Sequence, residues 1–369
     1  MAAEMLRTFD HFVDHVSTVP AIAGQSVQLY VREKVRADLV DKPQGAQTGA
    51  QSAFRGAVLM VHGGYWPCTP AFDLAHEDYS WMAALALRGW DVYAMDMTGY
   101  GRSPRPLMDD PRNLDPKQQP LLVPGTLTAP VAPLHPFDLV TSDSEADDID
   151  RVVDFIRARR GLEKIHLIGW SGGGCRTGCY TGRHPEKIER LMIYASSNYR
   201  RDGSKKPDQI PKSGAPMTLQ TFDDFIEKRW NPAISCPDQV APGMKDVAWA
   251  ASIASDPIGA KWGKGGLRGP SRTYWGWNRD GAAKLTLPVL VMVGDGDRLL
   301  ESNRELYADL AASPKAFVEF ACGSHFAQWE KPRHLMHRLS AAWLEDLTVD
   351  GFAPGVYRAD GSGKVIVQT

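Results

Sequence analysis

The chain has 369 residues, 43% of them hydrophobic, and a formal net charge of −2. That length is ample for a large core, in one α/β domain with an insertion or in two domains. The near-neutral charge offers no electrostatic footing for nucleic acid or an anionic membrane, and no apolar run approaches the roughly 20 residues of a membrane span. The first ten residues, Met1 to Asp10, carry an early acid and no long apolar stretch, which reads as no signal peptide. Five cysteines (Cys68, Cys175, Cys179, Cys236, Cys322) are scattered without zinc spacing. Cys175 and Cys179, one helical turn apart, read as buried free thiols, which fits a reducing, cytoplasmic setting.

In chain order, residues 1–24 show no clear pattern, and Val27–Arg32 alternates like a half-buried antiparallel strand. Asp41–Ser52 reads as a surface loop. Ala57–Val61 is a fully apolar strand running into His62-Gly63-Gly64-Tyr65. A helix is expected over Glu77–Leu87, ended by Gly89, and then a buried strand over Asp91–Met95. Residues 104–136, rich in proline, are too long for an ordinary connection and are expected to drape over the surface or wall a site. Ser142–Arg160 predicts a helix with Ile149, Val152, Val153 and Ile156 on one face, an acidic first turn and a basic last one. Ile165–Ile168 forms the next strand, with a helix after Gly174 and a strand over Ile188–Ala195. From Ser196 to Lys284 this rhythm breaks. It resumes with a strand at Pro288–Val293, a helix over Asn303–Leu310, a strand at Ala316–Phe320 and a helix over Arg333–Leu347. Such alternation implies a mostly parallel sheet covered on both faces. Val356–Val367 reads as a hairpin turning at Asp360-Gly361, outside that pattern.

One stretch carries chemistry. An apolar strand ends at Gly169-Trp170-Ser171-Gly172-Gly173, and a helix follows, the context in which G-x-S-x-G marks a nucleophile elbow. The turn is so tight that Gly169 and Gly173 must be small. A serine nucleophile needs a base, and His325, in a loop after the last short strand of the sheet, stands at the same sheet edge. His166 lies inside a strand and His62 inside the glycine loop; neither is free to swing onto Ser171. Asp295 and Asp297 compete as the acid that orients His325, and Asp297 is preferred because it lies past the turn facing the His325 loop, with Asp295 capping that turn. Backbone N–H groups of Gly172 and Gly64 are the candidate oxyanion hole. Tyr65, Trp66 and Trp170 are the candidate pocket residues. Lys261–Gly269 lacks the order of a phosphate loop and reads as ordinary loop.

His62-Gly63-Gly64, Asp96-x-x-Gly99-x-Gly101-x-Ser103, Gly169-x-Ser171-x-Gly173, and Gly294-x-x-Asp297 followed by His325 occur in the order in which the chain resembles α/β-hydrolase-fold proteins. The resemblance spans about residues 57–345. It implies an eight-stranded, mostly parallel sheet with helices on both faces, a Ser-His-Asp triad, and a mainly helical cap, which belongs at 200–285; residues 1–199 and 286–369 would form the core. The 104–136 insertion and the terminal hairpin depart from the minimal pattern, and a serine at the elbow argues against the aspartate-dependent branches. The leading reading is a hydrolase without cofactor or metal, acting on an ester or lactone. Alternatives on the same fold are cleavage of a carbon–carbon bond beside a ketone, acyl transfer to an alcohol, and a small-molecule receptor. The expected partner is a small-molecule substrate, with no nucleic acid or membrane and with a homo-oligomer open. Trp230, Trp249, Trp262, Trp275 and Trp277 fall within 200–285. If some of them roof the cleft, the pocket would favour an apolar or aromatic body.

Overall fold

The computed structural model describes residues 5–40, 54–263 and 265–367. The surface loop expected at 41–52 lies outside them. Ten strands form one sheet: β1 Leu6–Val16, β2 Ser26–Arg36, β3 Gly56–Val61, β4 Trp90–Met95, β6 Ile165–Trp170, β7 Ile188–Tyr194, β11 Val289–Gly294, β12 Lys315–Phe320, β13 Val356–Ala359 and β14 Val365–Val367, with β5 Val140–Thr141, β8 Met217–Gln220, β9 Leu267–Pro270 and β10 Arg272–Thr273 outside it. Their spatial order is β1-β2-β4-β3-β6-β7-β11-β12-β13-β14. From β4 to β13 every pairing is parallel, and the antiparallel strands stand at the two edges.

The sheet has two strands more than the eight expected, and both belong to the terminal hairpin at one edge; at the other edge, β1 is a strand that the residues alone did not reveal. Residues 6–16 give no pattern because β1 pairs only with β2 and only Val13 of its side chains is buried. The terminal hairpin is present, and β13 pairs in parallel with β12, so it extends the sheet.

Alternation along the central strands sends side chains to two separate cores. On β3, Val58 and Met60 join one core, which holds the helices α2 Trp81–Ala86 and α8 Arg333–Asp346. Ala57, Leu59 and Val61 face the other, which is covered by α3 Ser142–Arg160, α4 Gly172–Thr181 and α7 Leu300–Asp309. The short α1 Cys68–Phe72 lies between β3 and α2 in sequence. Helix α3 begins where its sequence says it should. The Thr141 and Ser144 side chains form a reciprocal capping box, and Gly161 ends the helix in the left-handed region.

Between β7 and β11 the chain folds into a π-helical stretch, Asp223–Trp230, the helix α5 Met244–Ala254, a short α6 Arg279–Ala282, and an antiparallel ribbon of β8 Met217–Gln220 with β9 Leu267–Pro270. A further short strand, β10 Arg272–Thr273, pairs with β5 Val140–Thr141 just before α3. The proline-rich insertion packs against this region. Met108, Leu114 and Leu122 share a third small core with Met217, Leu219 and Trp262, and the Gln118 side chain both donates to Leu219 O and accepts from its N–H. The insertion thus buttresses the ribbon and does not wall the cleft.

Cys236 and Cys322 form a disulfide with Cα atoms 5.3 Å apart, while Cys68, Cys175 and Cys179 stay free. Spacing could not reveal the pair, because 86 residues separate its members. Cysteine usage therefore lends no support to a reducing setting. Among the described residues, no helix is long and apolar enough to cross a membrane.

Candidate functional site

The parallel strands β3, β4, β6, β11 and β12 all release their chains at one edge, and each of the four motifs begins there. Crevices outside the carboxyl ends of parallel strands are where α/β proteins bind ligands.

Ser171 directly follows β6 at φ 55°, ψ −116°, a backbone conformation strained for a residue with a side chain. The packing around it holds that strain. Its N–H donates to Tyr194 O at 2.9 Å, and its carbonyl accepts from Gly174 N and Ser197 N at 3.0 Å. Both elbow glycines are sterically required. A Cβ on Gly169 would lie 2.5 Å from Gly173 O across the turn, and one on Gly173 would lie 1.9 Å from Val61 O, on the neighbouring strand.

His325 lies 2.8 Å from Asp297 through Nδ1 and Oδ2. A carboxylate can only accept, so Nδ1 carries the hydrogen and Nε2 is left as the basic nitrogen. The Asp297 side chain is fully buried and its other oxygen accepts from Leu299 N at 2.9 Å. Asp295 does not reach His325: its nearest bond is a weak one, at 3.4 Å from Gly323 N. Ser171, Asp297 and His325 all line one cleft of about 520 Å³.

Gly64 and Gly172 stand side by side at that cleft, the Cβ position of Gly172 being 3.5 Å from Gly64 N. Of the two loop glycines, Gly63 is the crowded one. A Cβ there would meet Ser171 Cβ at 2.9 Å and Oγ at 3.3 Å, whereas Gly64 faces open space. His62 shapes this loop from below. Its Nε2 accepts from Met97 N at 3.1 Å and its Nδ1–H donates to Gly63 O at 2.6 Å. Burial, and then the charge of Arg176, hold His62 well below the usual histidine range, so it serves as a neutral strut. The Asp96 motif is a second strut: its carboxylate accepts from Cys68 N and Arg102 N at 2.8 Å, and a Cβ on Gly101 would strike it.

Tyr65, Trp66 and Trp170 all line the cleft, joined by Phe225, Tyr274 and Phe326. Trp170 also donates from Nε1 to His325 O at 2.9 Å, tying the histidine loop to the elbow strand. The expected roof of tryptophans is absent. Among the described residues, none of the five tryptophans of 200–285 lines the cleft. Trp230, for example, is fully buried and donates to Glu330 at 2.6 Å. Indole rings this large are spent on the interior of that layer, and Phe225 and Tyr274 provide its aromatic surface instead.

Two buried groups escaped the sequence reading. Glu330 accepts from Ser324 N at 2.9 Å and from the Ser324 hydroxyl, Trp230 Nε1 and Gln239 Nε2, anchoring the His325 loop to the region between β7 and β11. Burial raises its carboxyl above the usual range despite those donors. Glu145 bridges Arg176, at 2.9 Å, and Arg272, in a cluster beside Gly172. Burial opposes the Arg176 charge, but Glu145 outweighs it and holds the guanidinium above its usual range. Glu145 had a signal: it stands one turn before Ile149, on the apolar stripe of α3, where a carboxylate needs a buried partner.

The chain matches the family described as the alpha/beta hydrolase fold over residues 56–332. No curated protein matches it. Among solved structures, it resembles an esterase from Exiguobacterium antarcticum at 15% identity and TM-score 0.52, covering 91% of this chain and 99% of that one. A thermophilic esterase from Thermogutta terrifontis, at 16% identity and TM-score 0.52, covers 90% and 98% respectively. A bromoperoxidase from Bacillus anthracis, at 14% identity and TM-score 0.50, covers 92% and 100%. At these identities the likeness is one of fold. The family match runs from β3 through the His325 loop, and on that ground the chain belongs to the alpha/beta hydrolase fold family.

Proposed function

We propose that this protein is a serine hydrolase of small-molecule esters or lactones, with residues 200–285 acting as the cap over its cleft. The observation that carries the reading is the 2.8 Å bond from His325 to buried Asp297, in the same cleft as a serine held at positive φ. His325 takes the Ser171 proton as Ser171 Oγ attacks the carbonyl carbon. Asp297 keeps the imidazole in the tautomer with Nε2 free and stabilises the imidazolium. The N–H groups of Gly64 and Gly172 receive the developing oxyanion. His325 then returns the proton to the leaving alkoxide, an acyl-enzyme remains, and water activated by His325 releases the acid. Aromatic walls from Trp66, Trp170, Phe225 and Phe326 favour a substrate with an apolar or aromatic body.

Ser171→Ala is expected to lower kcat on a short p-nitrophenyl ester by about 10³–10⁶ with the fold retained. Retention of more than about a tenth of the activity, with contaminants excluded, means the nucleophile is elsewhere. Asp297→Asn should lose far more than Asp295→Asn, with a loss near 10⁴ within reach for an orienting acid. The reverse ranking would transfer that role to Asp295.

A further inference from the structure

Four cationic side chains line the proposed catalytic cleft: Lys228, Arg229, Arg272 and Arg298. Two have carboxylate partners, Lys228 with Asp224 at 2.8 Å and Arg272 with Glu145, which it shares with Arg176. Arg229 and Arg298 are different, since among the described residues neither has a carboxylate within ion-pair distance. They come from separate elements. Arg229 belongs to the π-helical stretch, its guanidinium 5.2 Å above the ring of cleft-lining Phe225, and Arg298 directly follows Asp297. Burial, and then the nearby charge of Arg298, lower Arg229 below the usual arginine range, so Arg229 would gain from an anion in the cleft. The opposing charges do not supply it. Asp224, whose charge opposes that shift, is paired with Lys228, Asp297 is taken up by His325, and Asp295 leaves one carboxylate against two guanidinium groups.

We propose that Arg229 and Arg298 form a carboxylate subsite, so that the substrate is an ester or lactone with an aromatic or apolar body and a free carboxylate at its far end. This rests on the hydrolase reading for the reacting bond, but not for the anion subsite itself. Guanidinium groups are suited to carboxylates because their planar donors match the two oxygens.

Two measurements separate the two ideas. In Ser171→Ala protein, calorimetry would compare 4-phenylbutyrate with 4-phenylbutanamide, which share size and ring but differ in charge. The carboxylate should bind at least about tenfold tighter, with the ratio falling as salt rises. Arg229→Gln with Arg298→Gln should erase the ratio, and Arg298→Glu should invert it, in proteins whose circular dichroism matches the parent. Equal binding, a preference for the amide, no binding of the carboxylate, or a ratio that survives the double substitution overturns the subsite. In protein with Ser171 intact, mono-p-nitrophenyl glutarate would be compared with p-nitrophenyl valerate. Cleavage of both at equal kcat/KM keeps the hydrolase reading and overturns the subsite. Cleavage of neither, with carboxylate-selective binding in the first measurement, sinks the hydrolase reading and leaves the subsite standing.

Discussion

At the scale of single residues, the site is governed by where a side chain is forbidden. Gly63 abuts Ser171, and Gly64 abuts nothing. Gly63→Ala must therefore push Ser171 or its own loop by a few tenths of an ångström. Small displacements at a reacting centre can lower rates by about 10²-fold. Gly63→Ala is expected to lose about ten- to a hundredfold in kcat/KM on a p-nitrophenyl ester, and Gly64→Ala distinctly less. Steady-state kinetics of the two variants side by side would check it, and equal losses would contradict the crowding argument. The sequence pointed to Gly64 as the oxyanion donor but could not show that Gly63 is crowded, because the atoms that crowd it belong to Ser171, over a hundred positions away.

At the scale of elements, the unexpected link is between the His325 loop and the region between β7 and β11. Glu330 joins them through Trp230 and Gln239, Lys331 N donates to Gln239 O at 2.8 Å, and the Cys236–Cys322 disulfide closes the same junction covalently. Closing a loop of 86 residues restricts the unfolded chain by about 4.6 kcal/mol in the chain-entropy account. Thiol titration of denatured, unreduced protein should find three thiols, rising to five after reduction. Reductant should lower the urea midpoint of the wild type but not that of the Cys236→Ser, Cys322→Ser double variant. Five thiols without reductant would mean the bridge does not form in solution. Helix α3, by contrast, was legible almost to the residue, because its caps, charges and apolar stripe are all local signals.

At the scale of the whole molecule, three buried neutral histidines contribute to the response to acid. His166 and His337 are pushed down to about 3, in both cases first by burial and then by a neighbouring positive charge, and His62 is driven well below its usual range. Their unfolded counterparts take up a proton near pH 6.5, while the folded protein resists until about pH 3 for His166 and His337. Stability from these groups is therefore complete above about pH 6.5 and is lost as pH falls, at about 1.4 kcal/mol per pH unit for each. His166, packed edge-on against Trp90 with rings 4.9 Å apart, can be tested singly. His166→Phe should reduce the difference in unfolding free energy between pH 7 and pH 5 by about 2 kcal/mol, read from urea curves at the two values. An unchanged difference would place the acid sensitivity elsewhere. What the amino-acid sequence determined by itself is what depends on neighbours along the chain: the apolar strands, the capped helix, the strained Gly-x-Ser-x-Gly turn, and the order of the motifs at one sheet edge. Only the tertiary structure decided the edge strand β1, the pairing of Cys236 with Cys322, the Glu145 and Glu330 hubs, and the meeting of Arg229 and Arg298 at one cleft. Apart from β1, whose partner is the next strand, each of these is a meeting of atoms far apart in the chain, and no local period or propensity encodes which distant partner a buried charge or a thiol will find.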